Sequence, residues 1–491
     1  MKKDRKKARA DKRAAGRMTR REFVGALTAA GVVTGAPAFL RGQNLNNKLN
    51  IAFIGAGGRG MASLNALTIR PDAPEGGGRG DLGPGVPHPD ENVTVLCDVN
   101  SNAIETAAGR FPKARRVKDL RRVFDDLKDF DAVVVSTTEH THAFATYLAL
   151  INGKHVYCEK PLTYNIWEAR LIRETAAKYP KLSTQMGNQG HASPMRRQVK
   201  EILDTGVIGP VREVHVWAER AWGLQDAASA EKFDKAHGFY NGIQIVERFK
   251  EEMPVPEHLD WDLWLGPAPA RPYHDTYFPG PRWYRWWDFA NGTMSDLGSH
   301  DNDVAYTVLD IKQPLTIEAH SPNVPVAHPE LAPATMRVTY EFGGSPSGAP
   351  PVKLVWYQGD MKPPGWVPDW GGRSQLFIGD KGMLLATAKF LKLLPEEKFK
   401  DSQTPPETLP RSPGHWVEWV NYAKGLGPVP GSNFQYSGWT TEANHLGNVA
   451  YRAGKKLEWD YQTMRARNAP EADPFIKRPS YRKGWEDILK G

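Results

Sequence analysis

Cysteine is almost missing from this chain: Cys97 and Cys158 are the two among 491 residues. A disulfide scaffold and a four-ligand zinc site of the cysteine type are therefore excluded. A convincing membrane span is missing too. The apolar stretch from Val24 to Leu40 is about 17 residues long and rich in Ala and Gly, too short and too weakly apolar. Surplus charge is missing from the body of the chain. The net charge is +8, but residues 1–38 hold eleven Lys or Arg against three Asp or Glu. The remaining 53 basic and 53 acidic residues cancel, so nothing in the body points to nucleic acid. With 40% hydrophobic and 24% charged residues the composition is that of a globular protein. The length predicts two or three domains, and there are no internal repeats.

The basic tail has its own reading. It ends in Thr19-Arg20-Arg21-Glu22-Phe23-Val24, the apolar stretch follows, and Ala36-Pro37-Ala38 is a small-x-small cleavage candidate. That is the three-part layout of an export signal, with the arginine pair of the twin-arginine route. Residues 1–43 are accordingly expected to be signal and linker, and the protein periplasmic or otherwise exported by the twin-arginine machinery.

Leu49 to Ile54 reads as a strand that runs into Gly55-Ala56-Gly57-Gly58-Arg59-Gly60, and Met61 to Ile69 has helical composition. A G-x-G-x-x-G turn between strand and helix is the dinucleotide-binding arrangement. Gly55 permits the tight turn, Gly57 lets the backbone approach a pyrophosphate, and Gly60 lets helix and strand pack closely. Gly58 and Arg59 complete the turn, whose free amides face the phosphates. Asp98, at the end of the strand Val93 to Asp98, is the candidate ribose acceptor, 38 residues after Gly60. The excess spacing comes from residues 71–90, whose six Gly and five Pro predict an inserted surface loop. An acidic residue there repels a 2′-phosphate, which favours NAD over NADP.

The βαβ rhythm continues through strands 131–136 and 155–158. Ligands of such sheets sit beyond the carboxyl ends of the strands. That rule puts Ser136, Thr137, His142, Glu159 and Lys160 on one rim. His140 and His142 have no third ligand nearby, so no metal site is expected. From about Met186 strands come in runs (211–218, 315–320, 336–342, 352–357, 375–378 and 383–387), and helices return at 416–426 and 441–454. The expected fold is an N-terminal Rossmann domain over 48–185. It is followed by an α+β domain over 186–491, with a large, mostly antiparallel open sheet and a returning C-terminal tail.

Four features together carry a family resemblance: the glycine turn, Glu159-Lys160-Pro161, Gly187-Asn188-Gln189, and the D-x-x-x-H formed by Asp296 and His300. With them the chain after residue 48 resembles the Gfo/Idh/MocA oxidoreductases, which include glucose–fructose oxidoreductase and inositol dehydrogenase. The resemblance implies a nicotinamide cofactor and adds Gln189 to the candidate cofactor contacts. It implies that Lys160 contacts both the substrate hydroxyl and the nicotinamide ribose, with Asp296 and His300 over the same carbon. That division suits alcohol oxidation. A histidine takes the hydroxyl proton near neutral pH, a lysine stabilises the developing alkoxide, and an aspartate orients the pair.

Aromatic residues suggest the substrate side. Trp261, Trp264, Trp283, Trp286 and Trp287 cluster in sequence, and Trp217 and Trp222 flank Arg220. Flat rings beside polar groups suit the C–H faces of a sugar, making Arg220, Trp222 and Trp286 candidate substrate contacts alongside the Asp296 and His300 that the resemblance implies. Two functions fit. One is dehydrogenation of a sugar, glycoside or cyclitol hydroxyl. The other is redox-neutral glycoside cleavage by oxidation, elimination and re-reduction. Export favours a tightly bound, recycled NAD in both. The family resemblance also implies a dimer or tetramer.

Overall fold

The β-branched runs of the first half form a parallel sheet in the computed structural model of this chain. Its strands are β1 (Asn50–Ile54), β2 (Asn92–Cys97), β3 (Arg115–Val117), β4 (Ala132–Val135), β5 (His155–Cys158) and β6 (Thr184–Met186). The structure describes residues 47–68, 90–224, 251–344 and 350–490, with 228, 229 and 231. The expected export signal and almost all of the 71–90 insertion lie outside the described residues. Strand order is β3-β2-β1-β4-β5-β6, the doubly wound order, with every pairing parallel. β4 and β5 are buried at every position, as strands covered on both faces must be. Ile54, Cys97, Val135, Cys158 and Met186 are register partners, so five strand ends finish in one row. That row sets the position of the site.

The flanking helices are α1 (Gly58–Leu67), α2 (Ser101–Arg110), α3 (Glu139–Ile151) and α4 (Ile166–Lys178). α3 starts four residues before the 143 expected from its apolar content. Thr138 holds an extended N-cap conformation directly after the β4 exit, so Glu139 and His142 fall within the first turn.

β7 (Val211–Ala218), β8 (Thr316–His320), β9 (Met336–Phe342), β10 (Val352–Gln358), β11 (Arg373–Gly379) and β12 (Met383–Thr387) fall within two residues of the expected strands. β13 (Leu391–Leu394), β14 (Leu457–Asp460) and β15 (Arg465–Ala466) are additional and complete a nine-stranded sheet. All its pairings are antiparallel except β7 with β10. One face packs against α5 (Pro194–Asp204), α6 (Ser299–Leu309) and α8 (Phe434–Ala453) in the largest apolar core. The short helix α7 (His415–Ala423) belongs elsewhere. Its Trp416, Trp419 and Val420 join the core that α1 and α2 form on the parallel sheet, and Trp416 stacks on Tyr157 at 4.1 Å. Near the C-terminus Tyr481 and Trp485 meet Phe144 of α3 edge-on. The expected returning tail is thus two separate segments, both built into the nucleotide half.

Candidate active site

The glycine turn is shaped by close backbone contact. Gly55 has φ +89°, and a Cβ there would press on the Ser136 carbonyl of the β4 exit. A Cβ on Gly60 would collide with the Gly55 carbonyl, so only glycine lets α1 start so near β1. Gly57 stands between Ala103 and Asp98, and Gly58 has a positive φ with open space around it. The Asp98 Oδ2 accepts the amides of Ala56 and Gly57 at 2.9 and 3.1 Å, and its Oδ1 accepts that of Asn100. Burial raises this carboxyl, and the backbone donors pull the other way. Arg59 reaches across the row of strand ends to Glu159 (2.8 Å), whose Oε1 also accepts from Gln189 at 3.3 Å. Thr137 accepts a hydrogen bond from Thr141, and the buried Ser136 hydroxyl has no partner.

At the end of β5 the Lys160 ammonium donates to Asp296 Oδ1 (2.7 Å), the Asp296 carbonyl (2.8 Å) and the Tyr284 hydroxyl (3.0 Å). Asp296 Oδ2 accepts from Arg220 and from the Trp222 indole, both at 2.7 Å. Burial alone would raise the Asp296 carboxyl, but Lys160 and Arg220 hold it far below the usual carboxylate range. The D-x-x-x-H segment is not one regular helix. Met294–Gly298 is a π-helical turn running directly into α6, whose second residue is His300. Such turns occur mostly as single insertions, often at functional sites. Desolvation, then the charges of Lys160 and Arg373, push the His300 imidazole well below its ordinary value. The ring is therefore neutral at physiological pH.

Three expected contacts are placed differently. His142 does not face the rim: its ring is buried, with Nδ1 2.8 Å from the Pro161 carbonyl and Nε2 3.1 Å from that of Thr137. Starting α3 at Glu139 turns this side chain under the Lys160–Pro161 turn. Trp286 is fully buried in an aromatic cluster with Tyr277 and Phe289, its indole bonded to the Thr276 carbonyl. No face of it is offered to a ligand. Trp222 is 1% exposed and serves Asp296 instead of presenting its ring to solvent. Trp283 and Tyr284 are half-buried, and Tyr284 stacks against both Trp222 and Trp283. Sequence reasoning passed over Tyr284, Arg373 and Glu139. Tyr284 stood unremarked beside the more conspicuous Trp283. Glu139, fully buried at the start of α3, has one oxygen without a partner and its carboxyl raised by burial to about 8. Among the described residues no group of three His, Cys, Asp or Glu could hold a metal ion.

Two models of one oxidoreductase family match the chain. Its NAD-binding Rossmann model covers residues 49–187 and its C-terminal alpha/beta model residues 222–346, together more than half of the sequence. The chain belongs to the Gfo/Idh/MocA oxidoreductase family. Inositol 2-dehydrogenase of Salmonella paratyphi B is 28% identical over 124 residues, which are 25% of this chain and 37% of that protein. The enzyme of the same name from Rhodococcus erythropolis is 31% identical over 172 residues, 35% of this chain and 44% of its own length. The chain thus spans less than half the length of either relative. The fold is shared with the WlbA dehydrogenase of Bordetella pertussis, solved with NADH and UDP-GlcNAcA. The TM-score is 0.53 at 14% identity, over 84% of this chain and 99% of that one.

The Gfo/Idh/MocA cofactor class fits the residues present. Glycines at 55 and 60 bring the turn and the start of α1 against the strand ends, open space surrounds Gly58, and the buried Ser136 hydroxyl nearby is without a partner. Asp98 binds the turn's amides, and Arg59, Glu159 and Gln189 form a polar network at the neighbouring strand ends.

Proposed function

We propose that this protein is an exported NAD-dependent dehydrogenase that oxidises a secondary hydroxyl of a sugar, glycoside or cyclitol. The observation that carries the reading is the meeting of Lys160, from the row of strand ends, with Asp296 and the neighbouring His300 from the second domain. The names of the two inositol dehydrogenase relatives support a polyol. The arginine pair Arg20-Arg21 ahead of an apolar stretch supports export.

Gly55, Gly57, Gly60 and the α1 amides would hold the pyrophosphate, and Asp98 the ribose. When bound, the nicotinamide supplies a hydride acceptor. The chain supplies the rest. Neutral His300 takes the hydroxyl proton on its ring nitrogen, and the Lys160 ammonium stabilises the oxygen as charge develops on it. Asp296 fixes the ammonium by two bonds from one residue, to its carbonyl and its carboxylate.

The test is NADH formation at 340 nm across inositols, aldoses and aryl glycosides. Lys160→Met and His300→Ala should each lower turnover by roughly 10²–10⁴-fold while NAD remains bound. Near-wild-type turnover in either variant would put the chemistry elsewhere. Aglycone release without NADH would replace dehydrogenation by redox-neutral cleavage.

A further inference from the structure

The helix that carries His300 is held from behind by a buried carboxylate that the chemistry above does not use. Asp303, one turn further along α6, is 1% exposed. Its oxygens accept from the Tyr436 hydroxyl of α8 at 2.6 Å, from His191 Nδ1 at 3.0 Å and from Asn188 Nδ2 at 3.1 Å. It is also ion-paired with Arg196 of α5. The other terminal nitrogen of Arg196 donates to the backbone carbonyl of His300 at 2.6 Å. Asn188 donates more weakly to the Ser299 carbonyl, at 3.4 Å. Asn188 and His191 follow the end of β6, one residue on either side of the expected cofactor contact Gln189 and its neighbour Gly190. One buried carboxylate therefore ties the nucleotide rim to the start of α6.

The need for such a tie lies in the π-helical turn. That turn runs directly into the α-helix at Ser299 and so sets the offset between Asp296 and His300. Without an external hold, the offset between Asp296 and His300 would drift. We infer that Asp303 and Arg196 form a clamp of positioning residues that fixes His300 relative to Asp296 and to the nucleotide rim. The clamp touches neither substrate nor cofactor; it acts through the His300 backbone, and it rests on the reading of His300 as the proton acceptor. Burial, then the Arg196 charge, lowers the His191 imidazole to about 3, so His191 remains a neutral donor.

The experiment compares Asp303→Asn and the paired change Arg196→Met/Asp303→Leu in the full-length protein. Replacing both partners of a buried ion pair by apolar groups of similar size usually preserves folding, which keeps the paired variant informative. Expected are a kcat lower by roughly 10²-fold, the scale of a 1 Å misplacement, and little change in the KM for the polyol or the Kd for NAD. Arg196→Lys retains the charge and one donor, and should restore part of the loss. A folded paired variant with wild-type kcat overturns the clamp. So does a kcat loss that merely tracks a lower Tm or a lost NAD affinity. Should the wild type oxidise none of the polyols, the dehydrogenase reading fails by itself. The clamp is then judged on the nitrogen NMR signals of the His300 imidazole. A shifted ring titration in the paired variant supports it, and an unchanged one overturns it.

Discussion

Single residues here owe their chemistry to neighbours brought from far along the chain. Lys160 and Asp296 are 136 positions apart, and Lys160 helps hold the Asp296 carboxyl well below the usual carboxylate range. Glu139 shows the opposite case, a carboxyl buried without an adequate partner. Its ordinary value of 4.5 is raised to about 8 by burial, against the pull of Ser295, Lys160 and Asn291. The native state thus keeps a proton that the unfolded chain has lost above pH 4.5. Stability from this group is complete below that pH and falls as pH rises towards 8, by about 1.4 kcal/mol per unit. Glu139→Gln removes the slope. Urea unfolding at pH 6, 7 and 8 should show the Gln variant gaining on the wild type by a few kcal/mol over this range. A constant difference between the two would mean that Glu139 is ionised throughout. No local pattern warned of this group, because its burial follows from where α3 begins.

Among the elements, the β1–turn–α1 unit was legible from sequence in type, position and purpose. Only glycine satisfies its contacts, and glycines leave a visible pattern. Gly60→Ala should therefore cost more than the 1–3 kcal/mol of ordinary overpacking, since the obstacle is the Gly55 carbonyl and not a mobile side chain. The expected readout is a lower Tm together with loss of NAD binding by calorimetry. An alanine variant that binds NAD normally would show that α1 can shift without harm. The π-helical turn, in contrast, was not legible. Residues 296 and 300 lie on one face in any α-helical reading of their spacing, and no local signal separates the two geometries. Strands 383–387 and 211–218 were read to the residue from their apolar content. β13, β14 and β15 were missed because they are short strands near the two margins of the sheet, whose pairing is decided by their neighbours.

In the molecule as a whole, α7 and the segment around Trp485 close the faces of the parallel sheet, although they lie more than 200 residues beyond its last strand. This long-range burial encloses histidines throughout the described structure. Burial lowers His140 and His191 to about 3, and His155 and His445 to about 4. Each remains neutral in the native state while the unfolded chain takes up a proton below pH 6.5. Stability from these groups is present above that pH and falls on acidification, by about 1.4 kcal/mol per unit for each histidine. Glu139 and Glu168, the latter raised to about 7, act in the opposite direction. The lowered histidines, with His142, His300 and His415 among them, outnumber these two glutamates. The urea midpoint should fall between pH 7 and pH 5. A midpoint that rises on acidification would show that the buried histidines are charged.

The sequence by itself determined what local geometry and residue type can express. It gave the glycine turn, the parallel strand rhythm, the strand-end lysine, the paired Asp296 and His300, and a basic tail separate from a neutral body. Each depends on residues close together in the chain or on a backbone conformation that few residues tolerate. Tertiary structure decided the rest. It buried Trp286, assigned Trp222 to Asp296, turned His142 beneath the Lys160–Pro161 turn and gathered Asp303, Arg196 and Asn188 behind His300. A side chain's exposure and partners depend on what distant segments pack against it, and composition and spacing do not carry that information.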